Sequence, residues 1–377
     1  MTVPPATPAH RAQSPVTRRT LIGTAGAVAA GAVITPAVMA GPAEPDTAMA
    51  GATRAGLTTG IFPETRAAAA VGEAPVAAAF PIGFVGVRWE GAPEATGGGI
   101  RLRTADGTEG AWRAFPEDGC FPASGGGLLI PADEAAGYEL RAPAGATGLR
   151  SLALDTRRGP RRAVAVPKET TRMRGLAYVS RAAWGADESL RYASDGSENT
   201  PAAYYPFQTL TVHHTATSND DSDPAATVRG IYQLHTETNG WGDIGYHFLI
   251  DEEGRIYEGR HTDDGGLPGH DGDGRVVTAF HVGGCNSGNL GIALMGTLTK
   301  RRPTKAARKS LTRLARVLVR QHGVDPYARV RYVNPVNGAH KEVPEISGHR
   351  DWMVTKCPGG TMYRELDRLR EAVADGL

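Results

Sequence analysis

Leu290-Gly291-Ile292-Ala293-Leu294-Met295-Gly296 is apolar or glycine at every position, as a strand buried on both faces requires. Upstream, Leu210-Thr-Val212-His213 reads as a strand running into a polar loop. Tyr246-His-Phe248-Leu-Ile250 reads as another, and Asp251-Glu-Glu-Gly254 turns it back into Ile256-Tyr257-Glu258. Between these strands, Asp223-Pro224 is an N-cap followed by a first-turn proline. The helix it opens carries Val228, Ile231, Tyr232, Leu234 and His235, and Asn239-Gly240 ends it. Downstream, Thr304 to His322 places Ala307, Leu311, Leu314, Ala315 and Leu318 on one face and many Lys and Arg on the other. Gly323 stops that helix, and a last one follows Gly360. Strands alternating with helices predict an α/β domain over 177–377, with a central mixed sheet flanked by helices.

Toward the N-terminus the pattern changes. Phe80 to Trp89, Ile100 to Thr104, Leu128 to Ile130, Tyr138 to Ala142 and Leu149 to Leu154 are short alternating runs, with turn signals such as Asp106-Gly107 between them. They predict a small all-β sandwich over 76–167. Trp89, Trp112 and Phe115 are read as core rather than as a ligand platform. The basic stretch that follows predicts a solvated linker over 168–176, and the Ala, Gly, Pro and Thr of 41–75 a disordered spacer. Arg18-Arg19 precedes a run from Leu21 to Ala40 without a charged residue, rich in Ala and Gly and only mildly apolar. This resembles a twin-arginine export signal over 1–40. The expectation is a secreted, cell-wall associated protein with no stable membrane span after processing.

Composition narrows the partners. Lys+Arg 41 against Asp+Glu 40 leaves a net charge of +1, which argues against a nucleic-acid partner captured by bulk charge. Three cysteines are too few for a disulfide scaffold, and an odd number leaves one thiol for another task.

Three groups have the chemistry of zinc ligands. His213 ends the strand Leu210–Val212, while His349 and Cys357 stand eight residues apart near the C-terminus. Zinc takes histidine nitrogen and cysteine sulfur, and catalytic zinc sites keep three protein ligands and an open fourth position. On residue type alone, His214, His235, His247, His270, His281 and His340 are equal candidates. No His-Glu-x-x-His helix is present, which argues against a zinc protease of that type.

The wording around these residues narrows the choice. Ser180-Arg-Ala-Ala-Trp184-Gly185, Val212-His213-His214-Thr215, Asp243-Ile-Gly-Tyr246-His-Phe248, Tyr257-Glu-Gly-Arg260, Ser347-Gly-His349-Arg-Asp351 and Thr355-Lys-Cys357-Pro-Gly359 occur in that order. Together they resemble the peptidoglycan recognition protein family, which is related to phage-type (type 2) N-acetylmuramoyl-L-alanine amidases. The resemblance covers residues 175 to 370 or so. A strand-rich domain ahead of it resembles, more loosely, those of secreted actinobacterial members.

The resemblance implies a zinc amidase fold with Zn2+ on His213, His349 and Cys357. It implies hydrolysis of the amide between N-acetylmuramic acid and L-alanine in peptidoglycan. A monomer is expected. The alternative is a recognition protein that binds peptidoglycan without cutting it. Tyr246 is implied as a catalytic residue at the rim, and Thr355 as a second one. Thr355 departs from the phage-type pattern, which has lysine two residues before the cysteine ligand. Lys356 is shifted by one. His214, Trp241, His281 and Asn286 are expected to contact substrate, with His214 a neighbour of the metal rather than a ligand. Cys285 stands where the family often has an aromatic. It and Cys120 are read as free thiols rather than an interdomain pair.

Overall fold

The computed structural model describes residues 56–92, 95–116, 125–262 and 267–377. The export signal expected over 1–40, the spacer as far as residue 55, and Cys120 lie outside these residues. Cys285 is a free thiol.

The N-terminal domain comprises β1 (Leu57–Pro63), β2 (Arg66–Val71), β3 (Val76–Glu90), β4 (Gly99–Arg103), β5 (Arg113–Ala114), β6 (Gly125–Arg141), β7 (Thr147–Asp155) and β8 (Arg161–Pro167). Six of these form one antiparallel sheet in the order β2-β7-β3-β6-β4-β5, and β1 pairs with β8. The spacer expected as far as residue 75 is therefore too long: its second half is largely strand, β1 and β2. The alanines of β2 have weak strand propensity, but the whole of β2 is zipped to β7, from Arg66 opposite Asp155 to Val71 opposite Arg150. Backbone pairing with a partner strand overrides local composition there.

The central strands β3, β6 and β7 have two apolar faces, with a different neighbour on each. Val85, Val87, Trp89, Leu128, Ile130 and Ala153 point into the domain's own core. Trp89 stacks on Phe115 at 5.8 Å, so both are core, whereas Trp112 lies at the surface with the Arg141 guanidinium 4.4 Å above its ring. Phe84, Leu129, Leu152 and Leu154, on the opposite face, join a second core.

The C-terminal domain begins with the small hairpin β9 (Arg172–Met173) and β10 (Leu176–Ala177), then α1 (Arg181–Trp184), β11 (Tyr204–Tyr205), β12 (Thr209–His214) and α2 (Pro224–Gln233). It continues through β13 (Phe248–Ile250), β14 (Ile256–Glu258), β15 (Val276–Val277), β16 (Asn289–Leu294) and α3 (Lys305–His322). It closes with β17 (Arg329–Val333), β18 (His340–Pro344), β19 (Ile346–Gly348) and α4 (Gly360–Ala374). The central sheet has the order β14-β13-β16-β12-β19, with β14 antiparallel and the others parallel. The mixed sheet expected from the sequence is thus present, with Leu290–Leu294 at its centre. Helices α3 and α4 cover one face through Leu311, Leu314, Leu318, Leu366 and Leu369. Helix α2 covers the other, capped by the Asp223 side chain on the Ala226 N–H with Pro224 in its first turn. A π-helical turn, Leu234–Thr238, extends α2.

Residues 168–176 are no solvated linker. Met173 and Leu176 are buried in the core under the central sheet, because the β9–β10 hairpin folds them back. The two domains also share a core. Phe84, Leu129, Leu152 and Leu154 of the N-terminal sheet pack with Val228, Ile231, Tyr232 and Leu234 of α2 and its extension. Each fully buried side chain of this size contributes roughly 1.5–3 kcal/mol. Gly86 allows the contact: a Cβ there would come within 2.9 Å of Leu234 Cδ1. Arg229 of α2 donates to the carbonyls of Thr156 and Trp184, tying all three segments.

Among the described residues no helix is long and apolar enough to cross a membrane.

Candidate metal and substrate site

Parallel pairing assembles the site. Val212 of β12 lies opposite Gly348 of β19, so the next residues, His213 and His349, emerge side by side at the ends of the two strands. Cys357 arrives from the turn before α4, where its Sγ lies 3.4 Å from the His214 backbone N–H and 3.6 Å from His213 Nδ1. Ligand atoms of His213, His349 and Cys357 all lie within 4.8 Å of one another, and all three residues are buried.

The hydrogen bonds around His213 decide which nitrogen faces the cluster. The Asn289 carbonyl can only accept, so His281 Nε2, 2.9 Å from it, carries a hydrogen. Burial, then the neighbouring His213, hold the His281 pKa well below the ordinary histidine value, so the ring is neutral and its Nδ1 is an acceptor. His213 Nε2, 3.0 Å away, therefore donates to it. That leaves the lone pair of His213 Nδ1 directed toward Cys357. His281 itself is held close to β16 because residue 291 is glycine; a Cβ there would lie 2.6 Å from the imidazole.

His349 supplies the test of whether a metal fits. Both of its ring nitrogens are buried and neither has a hydrogen-bond partner. An imidazole desolvated in this way is costly unless something binds it. Two nitrogen donors, one of them on the orphan His349 imidazole, and one sulfur donor suit zinc.

A groove of about 300 Å³ opens beside the cluster. Tyr246, Trp241, His281, Asn286 and His349 line it, as do His235, Asn239, Phe280 and Met353. The Tyr246 ring centroid is 5.4 Å from that of His213, and its ring belongs to the core shared with the N-terminal domain. Trp241 stacks on Phe280 at 6.0 Å and lies tilted against His235 at 4.6 Å, forming an aromatic wall. Asn286 accepts the backbone N–H groups of His281 and Val282 through Oδ1, which holds the loop that carries His281.

Several expected roles change. His214 does not face the groove. Adjacent strand residues point to opposite faces, and the His214 ring accepts the Leu298 N–H on the α4 side of the sheet. His281 lines the groove, but both ring nitrogens are engaged, by His213 and by Asn289, so it orients His213 and has no ring nitrogen left for substrate. Thr355 is absent from the groove wall. Its hydroxyl accepts the Cys357 N–H at 3.2 Å and so shapes the turn that presents the Cys357 sulfur.

The other motif residues hold the frame. Arg181 donates to Asp243 and to the Gly259 carbonyl and grips Glu188 through two nitrogens. Against the burial that opposes it, the Arg181 guanidinium holds the Glu188 carboxyl down to about 2. His247 is structural: Nδ1 accepts the Gly291 N–H and Nε2 lies 2.7 Å from the Val277 carbonyl. Burial pushes its pKa down to about 3.

The His281 relay has a measurable consequence. His281→Phe keeps a ring over Gly291 but leaves His213 Nε2–H without its acceptor. Zinc affinity is expected to fall about 10–100-fold, as for loss of an outer partner of a histidine ligand. Competition against a chromophoric chelator measures it; an unchanged affinity would remove His281 from the relay.

A family model described as N-acetylmuramoyl-L-alanine amidase matches residues 203–360. A human N-acetylmuramoyl-L-alanine amidase is 31% identical over 162 residues, which are 42% of this chain and 23% of that protein. The chain thus spans about a quarter of the length of that relative. Peptidoglycan recognition protein 1 of Bos indicus is 30% identical over 189 residues, 49% of this chain and 80% of that protein. Among solved structures, wild-type Drosophila PGRP-LB is 25% identical with a TM-score of 0.36, covering 50% of this chain and 92% of that one.

Proposed function

Because this chain belongs to the family of peptidoglycan recognition proteins and N-acetylmuramoyl-L-alanine amidases, we propose that it hydrolyses the amide between N-acetylmuramic acid and L-alanine in peptidoglycan, with zinc on His213, His349 and Cys357. The observation that carries this reading is the buried His349 imidazole, with two unpartnered nitrogens, beside a thiol and a second histidine. A module that only grips peptidoglycan has no need of such a donor set. The chemistry zinc supplies in a site of this kind is a lower pKa for bound water and polarisation of a carbonyl.

The protein's own residues do the rest. The Asn289 carbonyl, His281 and His213 fix a tautomer, so that His213 presents a bare nitrogen at all times. Thr355 holds the Cys357 turn. Tyr246 donates its hydroxyl hydrogen to the oxygen that gains charge as the amide is attacked. Trp241 and Phe280 give the substrate an apolar wall. Export by the twin-arginine route, on the strength of Arg18-Arg19 and the uncharged run after them, places this activity at the cell wall.

Mass spectrometry of defined muropeptides after digestion tests the reading. The expected products are a peptide with a free L-alanine amine and the muramic acid it left. A chelator is expected to abolish them and added zinc to restore them. Intact muropeptide that is bound but uncut, with or without zinc, would select the recognition protein instead.

A further inference from the structure

The groove is not built by the C-terminal domain alone. Arg88, Gly127 and Leu129 of the N-terminal sheet line it together with Tyr246, Asn239 and His349. Strand alternation accounts for this. Residues 84, 86 and 88 of β3 share the face that packs on α2 and its extension: Phe84 lies in the shared core, Gly86 meets Leu234, and Arg88 is next along the strand. Apolar packing thus ends at Arg88, where the groove begins.

Arg88 is the one Lys, Arg, Asp or Glu among the described residues lining the groove. Among the described residues no carboxylate forms an ion pair with it; Glu90, whose charge acts on Arg88 from nearby, is itself paired with Arg150 at 2.7 Å. Across the β3–β6 pairing Arg88 is opposite Gly127, and a Cβ at Gly127 would lie 3.5 Å from Asn239 Oδ1. That amide oxygen is itself buried without a hydrogen-bond partner. One wall of the groove therefore carries a cationic fork of donors and, close by, an unsatisfied acceptor. A peptide segment bearing a carboxylate and an N–H has the matching groups.

Resting on the amidase reading above, we propose that Arg88 of the N-terminal domain is a specificity-determining residue of the groove, binding a free carboxylate on the peptide that follows the scissile L-alanine amide. The N-terminal domain is then part of the substrate site. Arg88 is half-buried, where an ion pair is screened less than at an open surface.

The test uses the zinc-loaded full chain and two synthetic N-acetylmuramoyl tetrapeptides, one with free carboxylates and one with them amidated. Affinity and KM are measured for the wild type, Arg88→Gln and Arg88→Lys. The wild type is expected to prefer the free acid by about tenfold or more, the range of a hydrogen bond to a charged group. Arg88→Gln is expected to lose that preference through KM, with the amidated ligand little affected, and Arg88→Lys to regain part of it by keeping the charge without the fork. Equal affinity of the wild type for both ligands, or an equal loss on both in Arg88→Gln, overturns the proposal while leaving the amidase reading intact. A wild type that neither binds nor cuts either ligand overturns the amidase reading and this proposal with it.

Discussion

Cys357→Ala is expected to lose zinc and, with it, hydrolysis. The side chain is fully buried between His213 Nδ1 and the His214 backbone, and it is the one sulfur of the cluster. One ligand of such a site carries roughly 3–4 kcal/mol of the ~10–16 kcal/mol with which thiolate–imidazole sites hold zinc, or two to three decades in affinity. Zinc content after dialysis against a buffered chelator, followed by release of L-alanyl peptide, measures both effects. His349→Ala is expected to behave alike, and for that variant the apoprotein gains stability, since two buried unpartnered nitrogens disappear. Either variant retaining stoichiometric zinc and full turnover would overturn the ligand set. A melting curve of each apoprotein separates metal loss from misfolding.

Tyr246→Phe is expected to keep zinc and substrate affinity but to lower kcat about 100–1,000-fold, the cost of one well-aligned oxyanion donor, ~2.7–4 kcal/mol. The ring stays in the core it shares with α2 and the N-terminal sheet, so the substitution removes a hydroxyl and little packing. An interaction made only as charge develops lowers kcat and kcat/KM equally and leaves ground-state binding alone. A rise in KM at constant kcat would instead make Tyr246 a substrate-binding residue. Unchanged kinetics would leave the hydroxyl without a part in the reaction.

The candidate ligand set was legible because each member stands in a local phrase of its own: Val212-His213-His214-Thr215, Ser347-Gly-His349, and Lys356-Cys357-Pro-Gly. The caps of α2 and α3 were legible for the same reason, since Asp223-Pro224, Thr304 and Gly323 act on backbone groups within a few residues. Roles that depend on which face a residue occupies were harder to read. His214 and His281 carry the same imidazole, yet one accepts the Leu298 N–H behind the sheet and the other steadies His213. Thr355, expected as a catalytic residue, instead braces the turn of Cys357.

By itself, then, the sequence determined four of the five strands of the central sheet, the helices α2, α3 and α4, the three candidate metal ligands and the family, all of which rest on periodicity, caps and short motifs; β19, which leads into His349, was not among them. Tertiary structure alone decided that residues 57–71 are strands, that 168–176 fold into a core, and that Arg88 meets Tyr246 in one groove. The physical reason is range. Capping and alternation act between neighbours in the chain, whereas the pairing of β2 with β7 and the packing of β3 against α2 join segments whose complementarity exists only once both are folded.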